Sequence, residues 1–218
     1  MFFANPFKSR LPDMAEALPG RETAIMQPRV HAVSRRDLAP PFPDGLKEIV
    51  LGMGCFWGAE RLFWQIEGVF VTAVGYAGGL TPNPTYQEVC SGRTGHSEVV
   101  RVIYDPETVS LMDLLAVFWQ EHDPTQGNRQ GNDTGTQYRS VIYSSDEEDQ
   151  AIIADSAKHY GLALAQAGRG AITTEIRHDV TFYYAEDEHQ QYLHKVPNGY
   201  CGLQGCGVSF DKEQITNS

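Results

Sequence analysis

The run from Leu46 to Ile66 constrains this chain most. A strand-like apolar stretch, Leu46 to Leu51, feeds the turn Gly52-Met53-Gly54. Directly after it, Phe56, Ala59, Leu62, Phe63 and Ile66 recur at helical spacing. Strand, glycine turn and helix in immediate succession place Cys55 at a strand-to-helix junction, on the first helical turn. Free backbone N–H groups and the positive end of the helix dipole point there. Both favour thiolate over thiol, and the thiolate is the nucleophile. The plainer reading keeps Cys55 as a small buried hydrophobe, with Phe56 and Trp57 as core.

The rest of the chain supplies the partners for this junction. Val69 to Tyr76 is β-branched and apolar on both faces, as in a central strand. Ala77 to Pro84 is a glycine- and proline-rich loop, and Thr85 to Cys90 a short helical turn. Ser97 to Tyr104 alternates as a strand, and Leu111 to Trp119 is a helix with Ser110 as its N-cap. The stretch 122–136 carries almost nothing apolar, and a structureless loop of that length is often functional. Tyr138 to Tyr143 is a strand, Ser145 to Ala167 a packing helix, Thr173–Ile176 and Thr181–Tyr184 short strands, and Asp187–Lys195 a short helix.

Interleaved but irregular strands and helices predict an α+β layered fold: a mixed sheet with helices packed on it around a split βαβ core. Long coil arms are expected at both ends. Prolines 6, 12, 19, 28, 40, 41 and 43 forbid long helices and central strands in residues 1–45, which therefore form an extended arm draped on the domain. Residues 46–198 are expected to form the catalytic α/β body, and 199–218 a glycine-rich tail with Cys201 and Cys206.

A formal net charge of −11 with no Lys/Arg cluster argues against nucleic acid and anionic membrane as partners. No apolar run approaches the roughly 20 residues of a membrane-spanning helix. The first residues lack the order of a signal peptide, which points to the cytoplasm. Four cysteines (55, 90, 201, 206) are too few for a disulfide scaffold, and in a reducing compartment they are catalytic, metal-binding or inert.

Glu98 shares its strand face with Val100, Val102 and Tyr104. A carboxylate there is costly unless paired, exposed at the strand end or protonated. If desolvated, its raised pKa suits an acid near neutral pH. Tyr86 and Tyr138 lie beside the polar loops and offer O–H donors, or simply pack half-buried. Cys201 and Cys206 are flanked by glycines on coil, so they are expected to move freely. With His189 and His194 they make a poor zinc set, and thiol–disulfide relay suits them better. Cys90 has no activating neighbour and reads as inert.

The stretch Gly54-Cys55-Phe56-Trp57-Gly58-Ala59-Glu60 closely resembles the signature of the A-type peptide methionine sulfoxide reductases. So do Pro82-Asn83-Pro84-Thr85-Tyr86, Thr94-Gly95-His96-Ser97-Glu98, His122-Asp123-Pro124, Gln130-Gly131-Asn132-Asp133 and Gly135-Thr136-Gln137-Tyr138-Arg139-Ser140. His189-Gln190-Gln191-Tyr192 and Gly199-Tyr200-Cys201-Gly202 continue the likeness, which runs from about residue 46 to 207.

The resemblance implies that Cys55 attacks the sulfur of a methionine S-sulfoxide in a protein or peptide. Glu98 would protonate the oxygen, with Tyr86 and Tyr138 binding it. Phe56 and Trp57 would hold the methyl group, and Asp133 would order the polar loop. Cys55 would be left as sulfenic acid, Cys201 would resolve it to a disulfide, and thioredoxin would reduce that disulfide. No metal or organic cofactor is implied, and a monomer is expected. The chain departs from relatives with a third redox cysteine in a Gly-Val-Cys context: it has Gly207-Val208-Ser209, and Cys206 instead. The rival reading is a thiol redox sensor or methionine sulfoxide binding module without turnover. Glu98 separates the two, because recognition needs no acid.

Overall fold

The computed structural model describes residues 5–212; the outermost ends of the expected arm and tail lie outside the described residues. In chain order the body contains β1 (Lys47–Met53), α1 (Phe56–Trp64), β2 (Val69–Ala77), α2 (Tyr86–Cys90), β3 (Ser97–Tyr104) and α3 (Leu111–Glu121). A hairpin β4 (Arg129–Gln130) and β5 (Asp133–Thr134) follows, then β6 (Ser140–Ser144), α4 (Glu147–Gln166), β7 (Glu175–His178), β8 (Phe182–Tyr184) and α5 (Tyr192–Lys195).

Six strands form one sheet in the order β7-β6-β1-β3-β2-β8. β3 runs antiparallel to both β1 and β2, so β1 and β2 are parallel with β3 between them. This is the split βαβ unit, with α1 as its crossover. β6 adds antiparallel to β1, and β7 pairs parallel to β6 after the α4 crossover. One sheet face packs Ile49, Leu51, Met53, Val74, Val100 and Val102 against α1, α3 and α4. The other face is also covered: Leu38 and Phe42 of the N-terminal arm lie on Val71, Ala73 and Ile103. Two covered faces explain why β2 and β3 are largely apolar on both sides, and every residue of β3 is buried, Glu98 and Arg101 included. No described helix is long and apolar enough to cross a membrane.

Four local expectations are corrected. The stretch 122–136 is not structureless, because Arg129–Gln130 and Asp133–Thr134 pair as a hairpin. Two-residue strands leave no period for sequence reading to detect. Tyr138 ends a 3₁₀ turn, Thr136–Tyr138, rather than opening β6. The helix expected over Asp187–Lys195 shrinks to Tyr192–Lys195, since Gln191 takes a left-handed backbone (φ +48°) that an α-helix cannot contain.

The fourth correction concerns the tail. Cys206 is 8% exposed and belongs to the main core. The Tyr160 hydroxyl lies 3.3 Å from its sulfur, and Arg169 Nη2 donates to its carbonyl at 2.7 Å. Tyr160 also donates to the Val208 carbonyl, and Phe210 N–H donates to Gln120 Oε1. Flanking glycines thus let the chain lie flat on α3 and α4 rather than letting Cys206 swing.

Candidate active site

Gly54 makes the turn between β1 and α1 with φ +91°, and a Cβ there would strike Gln130 at 2.6 Å. Glycine therefore serves both the backbone angle and the close approach of the hairpin. The turn leaves Cys55 as N-cap of α1, half-buried. The backbone N–H groups of Trp57 and Gly58 favour its thiolate, but burial pushes the thiol well up and the neighbouring Glu98 charge adds to that. The expectation of a thiol lowered by the helix terminus is therefore not met in the resting site. Desolvation outweighs the helix end.

Glu98 stands at the start of β3, on the helix-covered side, and is 1% exposed. Its Oε2 accepts the Phe56 N–H at 3.2 Å, while Oε1 has no hydrogen-bond partner. Burial, with a smaller contribution from Asp133, raises its pKa from 4.5 to about 8, against the Phe56 N–H and Lys8, which act to lower it. Glu98 is thus protonated at neutral pH. In that form it imposes no charge on Cys55.

The two tyrosines arrive from different elements. Tyr86 opens α2, whose N-cap Thr85 and third residue Glu88 form a reciprocal capping box. Its N–H donates to Glu186 Oε1 at 2.8 Å. Tyr138 comes from the 3₁₀ turn. Both hydroxyls are half-buried, and the pKa of each is raised by burial and then by Glu98. Asp133, on β5, also acts on Tyr138, Cys55 and Glu98. Its carboxylate accepts from the Tyr200 hydroxyl at 3.2 Å, tying the hairpin to the tail.

The aromatic wall is uneven. Phe56 is 1% exposed and packs inward on Tyr76, whereas Trp57 is half-buried. The indole of Trp57 stacks on Tyr192 at 4.0 Å and donates through Nε1 to His189 Nδ1 at 3.2 Å. Burial holds His189 below the ordinary imidazole value, and its ring also packs on Tyr86 at 4.4 Å.

Cys201 is exposed and lies over the first turn of α1. A Cβ on Gly58 would come within 2.9 Å of its sulfur and 3.2 Å of Leu203 Cβ. Glycine at 58 thus leaves the space that the returning tail fills. The structure brings together Cys55, Glu98, Tyr86, Tyr138, Asp133, Trp57 and Cys201, sets Phe56 behind them, and keeps Cys206 away in the α3–α4 groove.

Sequence reasoning gave no role to the groups that brace this site. Glu186 accepts from both Tyr86 N–H and the Tyr76 hydroxyl. Glu60 is fully buried, accepts two hydrogen bonds from Gln191 and one from Thr72, and is raised to about 7 by burial. The signal for Glu60 was present: it stands four residues after Phe56, on the apolar face of α1.

A family model described as peptide methionine sulfoxide reductase matches residues 47–216. The peptide methionine sulfoxide reductase MsrA of Brucella anthropi is 61% identical over 202 residues, 93% of this chain and 93% of its own. Among solved structures, methionine sulfoxide reductase A of Corynebacterium diphtheriae superposes with a TM-score of 0.81 at 47% identity, covering 91% of this chain and 99% of that one. Mxr1 from Saccharomyces cerevisiae in reduced form gives 0.67 at 35% identity over 74% of this chain and 91% of its own.

Proposed function

The chain belongs to the peptide methionine sulfoxide reductase family, and from that premise we propose how its own residues carry the reaction. The enzyme reduces methionine S-sulfoxide, free or in proteins, to methionine at the expense of thiols. Cys55 attacks the sulfoxide sulfur while Glu98 protonates the oxygen, which would otherwise be a hopeless leaving group, and the Cys55 thiol proton passes to the carboxylate that Glu98 leaves behind. Tyr86 and Tyr138 donate hydrogen bonds to that oxygen, and Trp57, backed by Phe56, holds the methyl group. Asp133 orders the polar hairpin at the mouth. The sulfoxide takes two electrons from the thiol and leaves as methionine. The oxygen ends on Cys55 as sulfenic acid. Cys201 then attacks that sulfur, water leaves with the oxygen, and a Cys55–Cys201 disulfide forms. A thioredoxin-type dithiol reduces the disulfide and completes the cycle.

The observation that carries this reading is the buried Glu98 with one carboxyl oxygen unpartnered. A recognition module has no use for a protonated acid beside a nucleophile, so a sensor or binding role is not favoured. The cycle ends on a disulfide that must be opened by a dithiol, which suits the cytoplasm; we infer that compartment, with a monomer as the working unit. The same reasoning divides the chain into arm (1–45), catalytic body (46–198) and redox tail (199–218).

The test is purified protein, dithiothreitol and a peptide bearing racemic methionine sulfoxide, resolved by epimer. The S form should be consumed and the R form should persist. Consumption of the R form, or of neither, contradicts the proposal. Cys206, buried on Tyr160, is left out of this cycle. Cys206→Ser should keep thioredoxin-supported turnover within about twofold of the parent, with at most a modest loss of thermal stability. Collapse of turnover with thioredoxin but not with dithiothreitol would restore Cys206 to the relay.

A further inference from the structure

The arm ahead of residue 47 lies outside the span that the family model matches. Its first described turn, Pro6–Lys8, is capped by Asn5, whose Oδ1 accepts the Phe7 N–H at 3.0 Å. Three side-chain ties hold this turn to the body. Asn5 Nδ2 donates to the Ser91 carbonyl at 2.8 Å, Thr136 Oγ1 to the Phe7 carbonyl at 3.2 Å, and Asn128 Nδ2 to the Ser9 carbonyl at 2.9 Å. Contact is close: a Cβ on Gly92 would fall 2.8 Å from Phe7 Cβ.

The anchors are not random points. Ser91 and Gly92 directly follow α2, which carries Tyr86, and Thr136 opens the 3₁₀ turn that carries Tyr138. Each of these elements is a single short turn, too short to hold its own geometry. Two donors converging on one oxygen must nevertheless be held to about 0.5 Å. Resting on the reading that both hydroxyls bind the sulfoxide oxygen, we propose that Asn5–Ser9 is a strap that fixes the spacing of Tyr86 and Tyr138. Asn5 and Thr136 are then positioning residues for the reductase step. The strap also brings in Lys8, whose charge reaches Glu98 and Cys90. The groups acting on Glu98 are Lys8 from the strap, the Phe56 N–H from α1 and Asp133 from β5, while Glu98 in turn acts on Cys55, Tyr76 on β2, Tyr86 and Cys90 on α2, and Tyr138.

The test keeps the full chain and severs the ties with Asn5→Ala, Asn128→Ala and Thr136→Val together. Single-turnover methionine release is read with and without Tyr86→Phe. The severed enzyme should be roughly 10- to 100-fold slower, as expected for misplaced donors. Tyr86→Phe should cost clearly less there than in the intact chain, because the hydroxyl is already misplaced. The alkaline limb of the rate profile should move to higher pH as Lys8 leaves Glu98. Full speed in the severed enzyme, or an equal cost of Tyr86→Phe in both backgrounds, overturns the strap. If the triple variant does not fold, Thr136→Val alone is measured in the same cycle, with the same decision. Silence of Tyr86→Phe in the intact chain removes the oxygen-binding reading itself, and the strap with it.

Discussion

Glu98→Gln should slow methionine release in a single turnover by about 10²–10⁴-fold, the usual worth of a general acid. Glutamine has nearly the same shape and can still accept the Phe56 N–H that now binds Oε2. It can offer an N–H to the sulfoxide oxygen but cannot transfer that proton. Binding should therefore change far less than rate. The pH profile carries the sign. An acid works while protonated, and burial holds Glu98 near 8. The reactive form carries both protons, the thiol's being handed on within the site, so the parental rate should be flat below that pH and fall as pH rises through it, and Glu98→Gln should lack this limb.

Stability should move the other way. A carboxyl raised in the folded state keeps its proton while the unfolded chain has already lost one. Its stabilising contribution is complete below the unfolded value of 4.5 and is lost as pH rises to about 8. Glu98→Gln removes that decline, so above pH 8 the variant should unfold no earlier than the parent. Loss of rate together with early unfolding would point to a structural role instead.

The second large effect is at sulfur. Cys55→Ser should abolish turnover, because a hydroxyl neither attacks the sulfoxide nor gives up two electrons. The resting thiol is pushed up by burial first and by Glu98 second. With Glu98 protonated the second cause disappears, leaving desolvation and the smaller Asp133 charge opposed by the Trp57 and Gly58 N–H groups. The cysteine thus waits as a thiol, which is less prone to stray oxidation than a thiolate. Cys201→Ser should separate the two halves of the cycle. One methionine should be released per chain, and thioredoxin-supported turnover should then stop.

Much of this arrangement can be read from sequence because it is periodic or local. The switch from strand to helical spacing around Gly54 locates Cys55. Period two in Ser97–Tyr104 puts Glu98 on the face of Val100, Val102 and Tyr104, which the helices cover, and β3 has those bounds. What escapes reading depends on tertiary contact. The hairpin β4–β5 is polar on every residue, so no pattern announces it. Glycines around Cys206 signal backbone freedom, but not the Tyr160 ring and the Arg169 guanidinium that hold the segment down. The helix end at Cys55 suggests a low pKa, yet the amount of water excluded by the tail and aromatic wall decides the balance. The arm's prolines say what it cannot form, and not that it joins the elements bearing Tyr86 and Tyr138.

The most direct test of the proposed chemistry is a one-equivalent experiment without reductant. Enzyme is mixed with one equivalent of a peptide methionine S-sulfoxide, free thiols are alkylated, and the non-reduced protein is digested and mapped. One methionine per chain and a Cys55–Cys201 linked peptide should appear, with Cys90 and Cys206 recovered alkylated. Release of methionine with Cys55 still alkylated, or with Cys55 linked to a different cysteine, would contradict it.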